Sequence, residues 1–314
     1  MRAVTIVDGK LDWREHPDPR PGPNRLLVSV HAAAVNAADL VQVQGFYPPP
    51  PGWPVDIPGM ELAGEVVATG PGATRFQPGD RVMALVGGGA QAELAEVDET
   101  SAMAVPKAIS WEEAGGFAEV FCTAHDALFT QCGLVLGDRL LVTGAAGGVG
   151  TAAVQLGAAA GAHVVASVRR PELRDAVAAL GAAQVVAPDG VVAAGPFDVV
   201  LELVGGEGFA SSLQALATDG RLCVIGVGGG SRQEIDLFSI MGKRASIRGS
   251  TLRARSVSDK EKVVRPVESH VVPLLAAGRV RVPVVERLPM SQAEAGYARF
   301  SAGGKLGKVI LTRG

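Results

Sequence analysis

The segment Leu140–Val168, LLVTGAAGGVGTAAVQLGAAAGAHVVASV, holds the residues whose types and spacing point most directly to chemistry. Leu140–Thr143 reads as a short apolar strand. The run Ala146-Gly147-Gly148-Val149-Gly150 after it reads as a tight turn opening a helix. Glycines there leave room for backbone to approach a pyrophosphate, and the first amides of the helix point their partial positive charge at it. A second strand, His163–Ser167, follows. Chains that hold an unphosphorylated adenosine ribose carry Asp or Glu about 20 residues past such a turn, to bind both hydroxyls. Here the residues are Ser167-Val168-Arg169-Arg170. An apolar side chain followed by two arginines suits a 2′-phosphate, so the expected cofactor is NADPH. A solvated helix entry before Pro171 is the plainer account of the two arginines. The segment carries no charge until Arg169, but it is too rich in Gly and Ala, and too interrupted, for a membrane span. Its period also changes from strand to helix within it.

Two elements must position such a turn. From about residue 118 onward, alanine-rich helical stretches alternate with the apolar strands Leu140–Thr143, His163–Ser167, Gln184–Val186, Asp198–Glu202 and Arg221–Ile225. That alternation predicts a parallel, doubly wound α/β sheet with ligands at the carboxyl ends of its strands. Residues 1–117 are β-rich instead. Alternating runs such as Arg25–His31 and Glu61–Ala68 are broken by Pro/Gly turns, which predicts a small barrel. Asp259–Ala277 reads as one long helix ended by Gly278, and Gly307–Leu311 as a strand returning to the N-terminal domain.

With 314 residues, nearly half of them hydrophobic, two domains with proper cores are expected. A formal charge of −3 gives no reason to expect nucleic acid or an anionic membrane as a partner. The first residues, MRAVTIVDGKLDWREH, hold no apolar signal core, so a cytoplasmic protein is expected. Cys122, Cys132 and Cys223 form no CxxC pair and read as buried thiols of a reducing compartment. No Ser/His/Asp nucleophile arrangement and no basic–aromatic patch is present.

A β-rich N-terminal domain, a central dinucleotide domain and a C-terminal return resemble the medium-chain dehydrogenase/reductase superfamily. Within it the chain resembles the zinc-free quinone oxidoreductases of the p53-inducible type. The segments carrying the resemblance are VNAADLVQVQGFYPPPPG (35–52), PGMELAGEVVATG (58–70), QPGDRV (77–82), LVGGGAQ (85–91), GAAGGVGTAAVQL (144–156) and residues 237–255. The implied fold is a GroES-like catalytic domain, residues 1–117 plus 252–314, and a Rossmann NADPH-binding domain, residues 118–251. Zinc-binding members place a cysteine where this chain has Asn36-Ala37-Ala38-Asp39 and a histidine at Met60. Their third ligand stands at Glu119, four residues before Thr123. Two of the three ligand positions are thus lost, so no metal is expected.

Without a Lewis acid the acceptor must take hydride readily by itself, which points to a quinone. Tyr47 and Asn36 are the implied catalytic residues. Tyr47 packs against the nicotinamide or bonds the acceptor, or else only anchors the proline loop Pro48–Pro51. Asn36 orients ribose or acceptor, or else is a self-bonded turn residue. No general acid other than Tyr47 stands out. Asp39 reads as a helix-capping acid. Thr123, Ala146, Gly147, Gly148, Val149, Ser167, Arg169, Arg170, Val204, Gly226 and Phe238 are the implied cofactor contacts. The family's usual lysine and tyrosine beyond the second strand are replaced by Leu173-Arg174 and Val185–Pro188, which puts more weight on the two arginines. Two other functions stay open: an enoyl reductase acting on an enone or enoyl thioester, and a nonenzymatic NADPH-binding protein. The strand near Ala245–Ser250 falls where relatives pair edges across a two-fold axis, so a homodimer is expected. Light scattering reporting a monomer at micromolar concentration would contradict it.

Overall fold

A computed structural model describes residues 1–314. The chain divides into two units: Met1–Cys122 with Leu252–Gly303 and Lys308–Gly314, and Thr123–Thr251 with Gly304–Gly307. The first break falls later than the change of texture at 117. It lies inside one helix, Ala118–His125, whose pattern carries no sign of a boundary. A second departure is the tail: residues 304–307 group with the dinucleotide unit, although the chain on either side of them does not.

The first unit begins with an antiparallel pair, β1 (Arg2–Val7) and β2 (Lys10–Glu15). Its main sheet uses β3 (Arg25–Ala34), β4 (Glu61–Thr69), β5 (Arg81–Leu85), β6 (Leu94–Asp98) and β7 (Ala102–Ala104). β3 shows why these residues form a sheet. Leu26, Val28 and Val30 alternate inward and are fully buried, while Leu27, Ser29 and His31 face the other side, where His31 stacks on Trp111. Leu62, Val66, Val82 and Val97 join the same core.

The second unit is a six-stranded sheet of β8 (Arg139–Val142), β9 (His163–Ser167), β10 (Gln184–Val186), β11 (Phe197–Glu202), β12 (Leu216–Val224) and β13 (Ser246–Gly249). The order is β10-β9-β8-β11-β12-β13, and every pairing is parallel. This is the doubly wound sheet that the alternating pattern predicts, with its reversal beside β8. Its central strands β8, β9 and β11 are buried along most of their length and largely apolar, while β10 and β13 at the two edges are largely exposed or half-exposed. β13 is an edge strand.

The C-terminal return completes the first sheet. β14 (Val284–Pro289) pairs parallel with β15 (Lys308–Thr312), and β15 pairs antiparallel with β3. The tail therefore packs on the N-terminal part, as its apolar run predicts. The predicted helix over 259–277 is two helices, Val257–His270 and Val272–Ala276. Pro273 has no N–H to continue the ladder and stands in the first turn of the second helix, a position that tolerates it. Gly278, at φ 67°, ends the pair as expected. No helix is long and apolar enough to cross a membrane.

Candidate functional site

The candidate residues fall into two groups, one in each unit. In the second unit, β8 delivers Thr143 into the glycine turn, and the helix Gly148–Ala159 starts from Gly147. A Cβ on Gly150 would fall 2.5 Å from the Gly144 carbonyl oxygen and 2.6 Å from the Ala145 Cα, both backbone atoms. Only a residue without a side chain lets the helix sit this close to the strand. Ala146 to Val149 remain half-exposed at the mouth of the turn, their backbone available to a phosphate. These features fit a dinucleotide pyrophosphate.

Beneath the turn lies Glu202, fully buried at the end of β11. Its Oε1 accepts from Thr143 Oγ1, from the Val204 N–H and from the Gly205 N–H, each at 2.9 Å. Its Oε2 accepts from Ser212 Oγ at 2.7 Å. The sequence reading passes over this carboxylate, which fixes the loop carrying Val204. The Val204 carbonyl in turn accepts from the Gly229 N–H at 2.7 Å, and a Cβ on Gly226 would meet the Leu203 carbonyl at 2.4 Å. Val204 and Gly226 are thus brought into one packed pair of loops. Phe238 stands apart from these bonds, four-fifths exposed near the start of the helix Leu237–Lys243.

At the end of β9, Ser167 and Val168 are buried, and Arg169 and Arg170 are exposed. Arg170 bonds Glu172 at 3.4 Å and lies against Gly304. Arg174, which the sequence offers only as a replaced lysine, reaches back to the Val168 carbonyl at 3.3 Å. Arg170 and Arg174 are thus turned toward different partners near the end of β9, with Arg169 exposed between Val168 and Arg170. The Gly307 N–H donates to the Ala146 carbonyl at 2.8 Å, and Gly307 bridges Gly147. This pairing draws residues 304–307 into the second unit, and nothing in the local pattern of the tail announces it. Thr123 is buried on its helix and its hydroxyl makes no bond back to its own backbone.

In the first unit, Asn36 is the N-cap of the helix Ala37–Val43. Asp39, three residues on, accepts the Asn36 N–H at 2.8 Å and the Gly59 N–H at 3.2 Å, the capping role its position predicts. Burial pushes the Asp39 carboxyl up to about 6 against these two bonds and nearby Lys308. The Asn36 amide is committed inside the protein. Its Nδ2 donates to Glu61 Oε1 at 3.0 Å, and its Oδ1 accepts from Lys308 Nζ at 2.6 Å. Lys308 and Glu61 close the triangle as an ion pair at 2.7 Å, with side chains 3% and 0% exposed. Asn36 is therefore neither a self-bonded turn residue nor free to orient a ligand with its whole amide. Lys308 was hidden in a tail strand whose pattern asks only for apolar residues.

Glu61 Oε2 accepts the backbone N–H of Glu119 at 2.9 Å. The Glu119 carboxyl makes no hydrogen bond. Burial first, then the Glu61 charge, push it up to about 8. The positions that the resemblance assigns to zinc ligands thus hold the stretch Asn36–Asp39, Met60 and Glu119, with neither thiolate nor imidazole among them. The adjacent Glu61 carboxylate is neutralised by an ammonium, and no set of three His, Cys, Asp or Glu is arranged to take a metal ion. This donor set does not fit a tetrahedral zinc.

Tyr47 lies on the loop after the helix Ala37–Val43 at φ 55°, an uncommon conformation for a side chain of its size. Arg253, itself buried, holds it there. The guanidinium donates to the carbonyls of Tyr47 and Gly87 at 2.8 Å each and to Gln42 Oε1 at 2.5 Å, and lies 5.4 Å from the Tyr47 ring. The phenol is pushed up, by burial first and then by Glu119. The loop is therefore positioned, as well as stiffened by its prolines.

Residues 22–132 match the family "Alcohol dehydrogenase GroES-like domain" and residues 148–268 match "Zinc-binding dehydrogenase". An acryloyl-coenzyme A reductase of Metallosphaera sedula is 30% identical over 99% of this chain and all of its own length. The chloroplastic quinone-oxidoreductase QR1 of Triphysaria versicolor is 30% identical, covering 99% of this chain and 98% of its own. The crystal structure of an NAD-dependent alcohol dehydrogenase superposes with a TM-score of 0.88 at 26% identity, over the whole of both chains. With the glycine turn on a parallel sheet and a separate GroES-like unit, these findings show that the chain belongs to the medium-chain dehydrogenase/reductase family of oxidoreductases, whose fold binds a nicotinamide cofactor.

Proposed function

We propose that this protein reduces a quinone with NADPH and does so without zinc. The observation that carries this reading is the Lys308–Glu61–Asn36 triangle with Glu119 beside it, where zinc-binding relatives need thiolate and imidazole ligands. An alkoxide has no Lewis acid to rest on at such a site, so alcohol oxidation is disfavoured. A quinone needs none, because the charge that arrives with the hydride spreads over its ring.

When bound, the dinucleotide supplies hydride from its nicotinamide. The chain's own residues hold and orient. The amides at the start of the helix Gly148–Ala159 take the pyrophosphate. Arg169 and Arg170 take the 2′-phosphate beside Val168, and the Arg253-held loop presents Tyr47. The resemblance to the QR1 quinone-oxidoreductase supports the acceptor class. The full-length resemblance to an acryloyl-coenzyme A reductase favours a second reading, an enoyl thioester as acceptor.

The test is oxidation of NADPH and of NADH side by side, with an ortho-quinone, a para-quinone and an enoyl thioester. Turnover on a quinone with NADPH preferred is the expected result. Turnover on the thioester alone replaces the first reading with the second. For the cofactor, the Arg169→Ala/Arg170→Ala variant should raise KM for NADPH about 10- to 100-fold, the loss of one or two charge-assisted hydrogen bonds, and leave NADH unchanged. An unchanged NADPH preference would remove the phosphate from the assignment.

A further inference from the structure

Two of the three cysteines meet inside the second unit, and no role described so far uses them. Cys223 lies on β12, along which side chains alternate between the two faces of the sheet. Leu222 and Val224 pack into one core cluster with Phe209 and Leu213, so Arg221 and Cys223 belong to the opposite face. Along that face runs the helical segment Asp126–Gln131, which Cys132 closes. The segment is wound wider than an α-helix: the Cys132 N–H donates to the Ala127 carbonyl, five residues back, at 3.1 Å. Side-chain bonds fix how it lies. At its start Asp126 Oδ2 accepts from Ser250 Oγ, just beyond β13, at 3.2 Å. Past its end Arg221 Nη1 donates to the Gly133 carbonyl at 3.0 Å, and Arg221 Nη2 to Asp138 Oδ2 at 2.9 Å. Cys132 is the neighbour of Gly133, and Cys223 stands two residues from Arg221 on the same face. The two thiols accordingly lie within hydrogen-bonding reach of each other. Arg248, in register with Cys223 on β13, adds a second guanidinium to the group.

We propose that Cys132 and Cys223 are a peroxide-reactive pair that closes a reversible disulfide within the dinucleotide unit. The pair is independent of the acceptor that the protein reduces. Its two members are not equivalent. Cys132 is flanked by exposed chain at Thr130 and Gly133, whereas Cys223 has no exposed surface. The bond from Cys223, with the charges of Arg221 and Arg248, holds the Cys132 thiol below its usual range in spite of burial. The same bond, burial and Asp126 push Cys223 up. Cys132 is therefore the attacking sulfur. Its thiolate takes one oxygen of hydrogen peroxide, the O–O bond breaks, and hydroxide leaves a sulfenic acid on Cys132. The Cys223 sulfur then attacks the Cys132 sulfur, the S–O bond breaks, and the S–S bond forms. The hydroxide and the departing oxygen take up the two thiol protons as water. The two sulfurs lose two electrons and the peroxide gains them. A dithiol reverses the bond by exchange. The disulfide ties the segment leading into β8, and hence into the glycine turn, to β12.

The test is brief treatment of the native wild-type protein with hydrogen peroxide. Thiols counted after denaturation should fall from three to one, the intact mass should drop by two hydrogen atoms, and peptide mapping should find Cys132 linked to Cys223. Dithiothreitol should restore all three thiols. In Cys223→Ser the reaction should stop at a sulfenic acid on Cys132, captured by a 1,3-diketone. Cys132→Ser should lose thiol about 10-fold more slowly than wild type, because the favoured thiolate is gone. Three outcomes in the wild type overturn the proposal: both thiols surviving, oxygen retained on Cys132 beside a reduced Cys223, or a bond to Cys122 or to a second molecule. A sulfenic acid on Cys223 in Cys132→Ser overturns the order of attack. The wild-type measurement decides the pair even where a serine variant fails to fold.

Discussion

Lys308→Met should lower the unfolding free energy of the protein by about 3–5 kcal/mol, the usual cost of removing one partner of a buried ion pair. Glu61 has no exposed surface, and its Oε1 depends on two donors, Lys308 Nζ at 2.7 Å and Asn36 Nδ2 at 3.0 Å. Without the ammonium, the carboxylate faces the Asn36 amide and the Glu119 N–H alone, and the Asn36 oxygen loses its 2.6 Å donor. Urea unfolding of wild type and variant measures the loss. The Glu61→Gln/Lys308→Met double variant should recover much of it, because the uncompensated charge is then gone, and the coupling between the two positions reads out the pair. A single variant within 1 kcal/mol of wild type would mean that the carboxylate is not held by this lysine.

Stability should fall as pH rises from 6 to 8.5, by about 2 kcal/mol through Glu119 alone. The native carboxyl releases its proton near pH 8, whereas an unfolded chain releases it near 4.5. Between those values the folded state binds the extra proton, so raising the pH draws the equilibrium toward the unfolded chain. The contribution is complete below 4.5 and is lost as pH passes 8. Asp39, raised from 3.8 to about 6, acts in the same direction over a lower window. Urea midpoints at pH 6 and pH 8.5 measure the slope. In Glu119→Gln the difference between the two midpoints should shrink by the Glu119 share. An identical slope in both proteins would show that Glu119 is already ionised at pH 6.

Much of the dinucleotide unit was legible because its signals are local. Strand, glycine turn and helix follow one another within about 20 residues, and the parallel pairing of the strands follows from their alternation with helices. Helix capping by Asp39 was equally local, three residues from its partner. The long C-terminal helix was misjudged at Val271 because an apolar, helix-like composition continues across a proline that begins a new helix.

The buried polar groups of the first unit were not legible in the same way. Asn36 stands out as a candidate within the stretch where relatives carry a cysteine, but its partners lie 25 and 272 residues away. Lys308 sits in a strand that is otherwise largely apolar, and Arg253 lies within residues 237–255, a stretch matched only as a whole. Sequence alone could mark Glu119 as the one ligand position of zinc-binding relatives still held by an acid. It could not show a carboxyl left without a partner.

The sequence by itself determined the two textures, the glycine turn between strand and helix, the two arginines beyond the second strand, and the lack of Cys and His at 36–39 and at Met60. Each depends on residue type at short spacing, where chain connectivity fixes geometry. Tertiary structure alone decided which charges neutralise one another. It paired Lys308 with Glu61, buried Glu119 beside Glu61 so that its carboxyl is pushed up, placed Arg253 against Tyr47 and closed Gly307 on Ala146. A carboxyl's acidity is set by the water it has lost and the charges around it, and both are delivered by segments that meet only when the chain has folded.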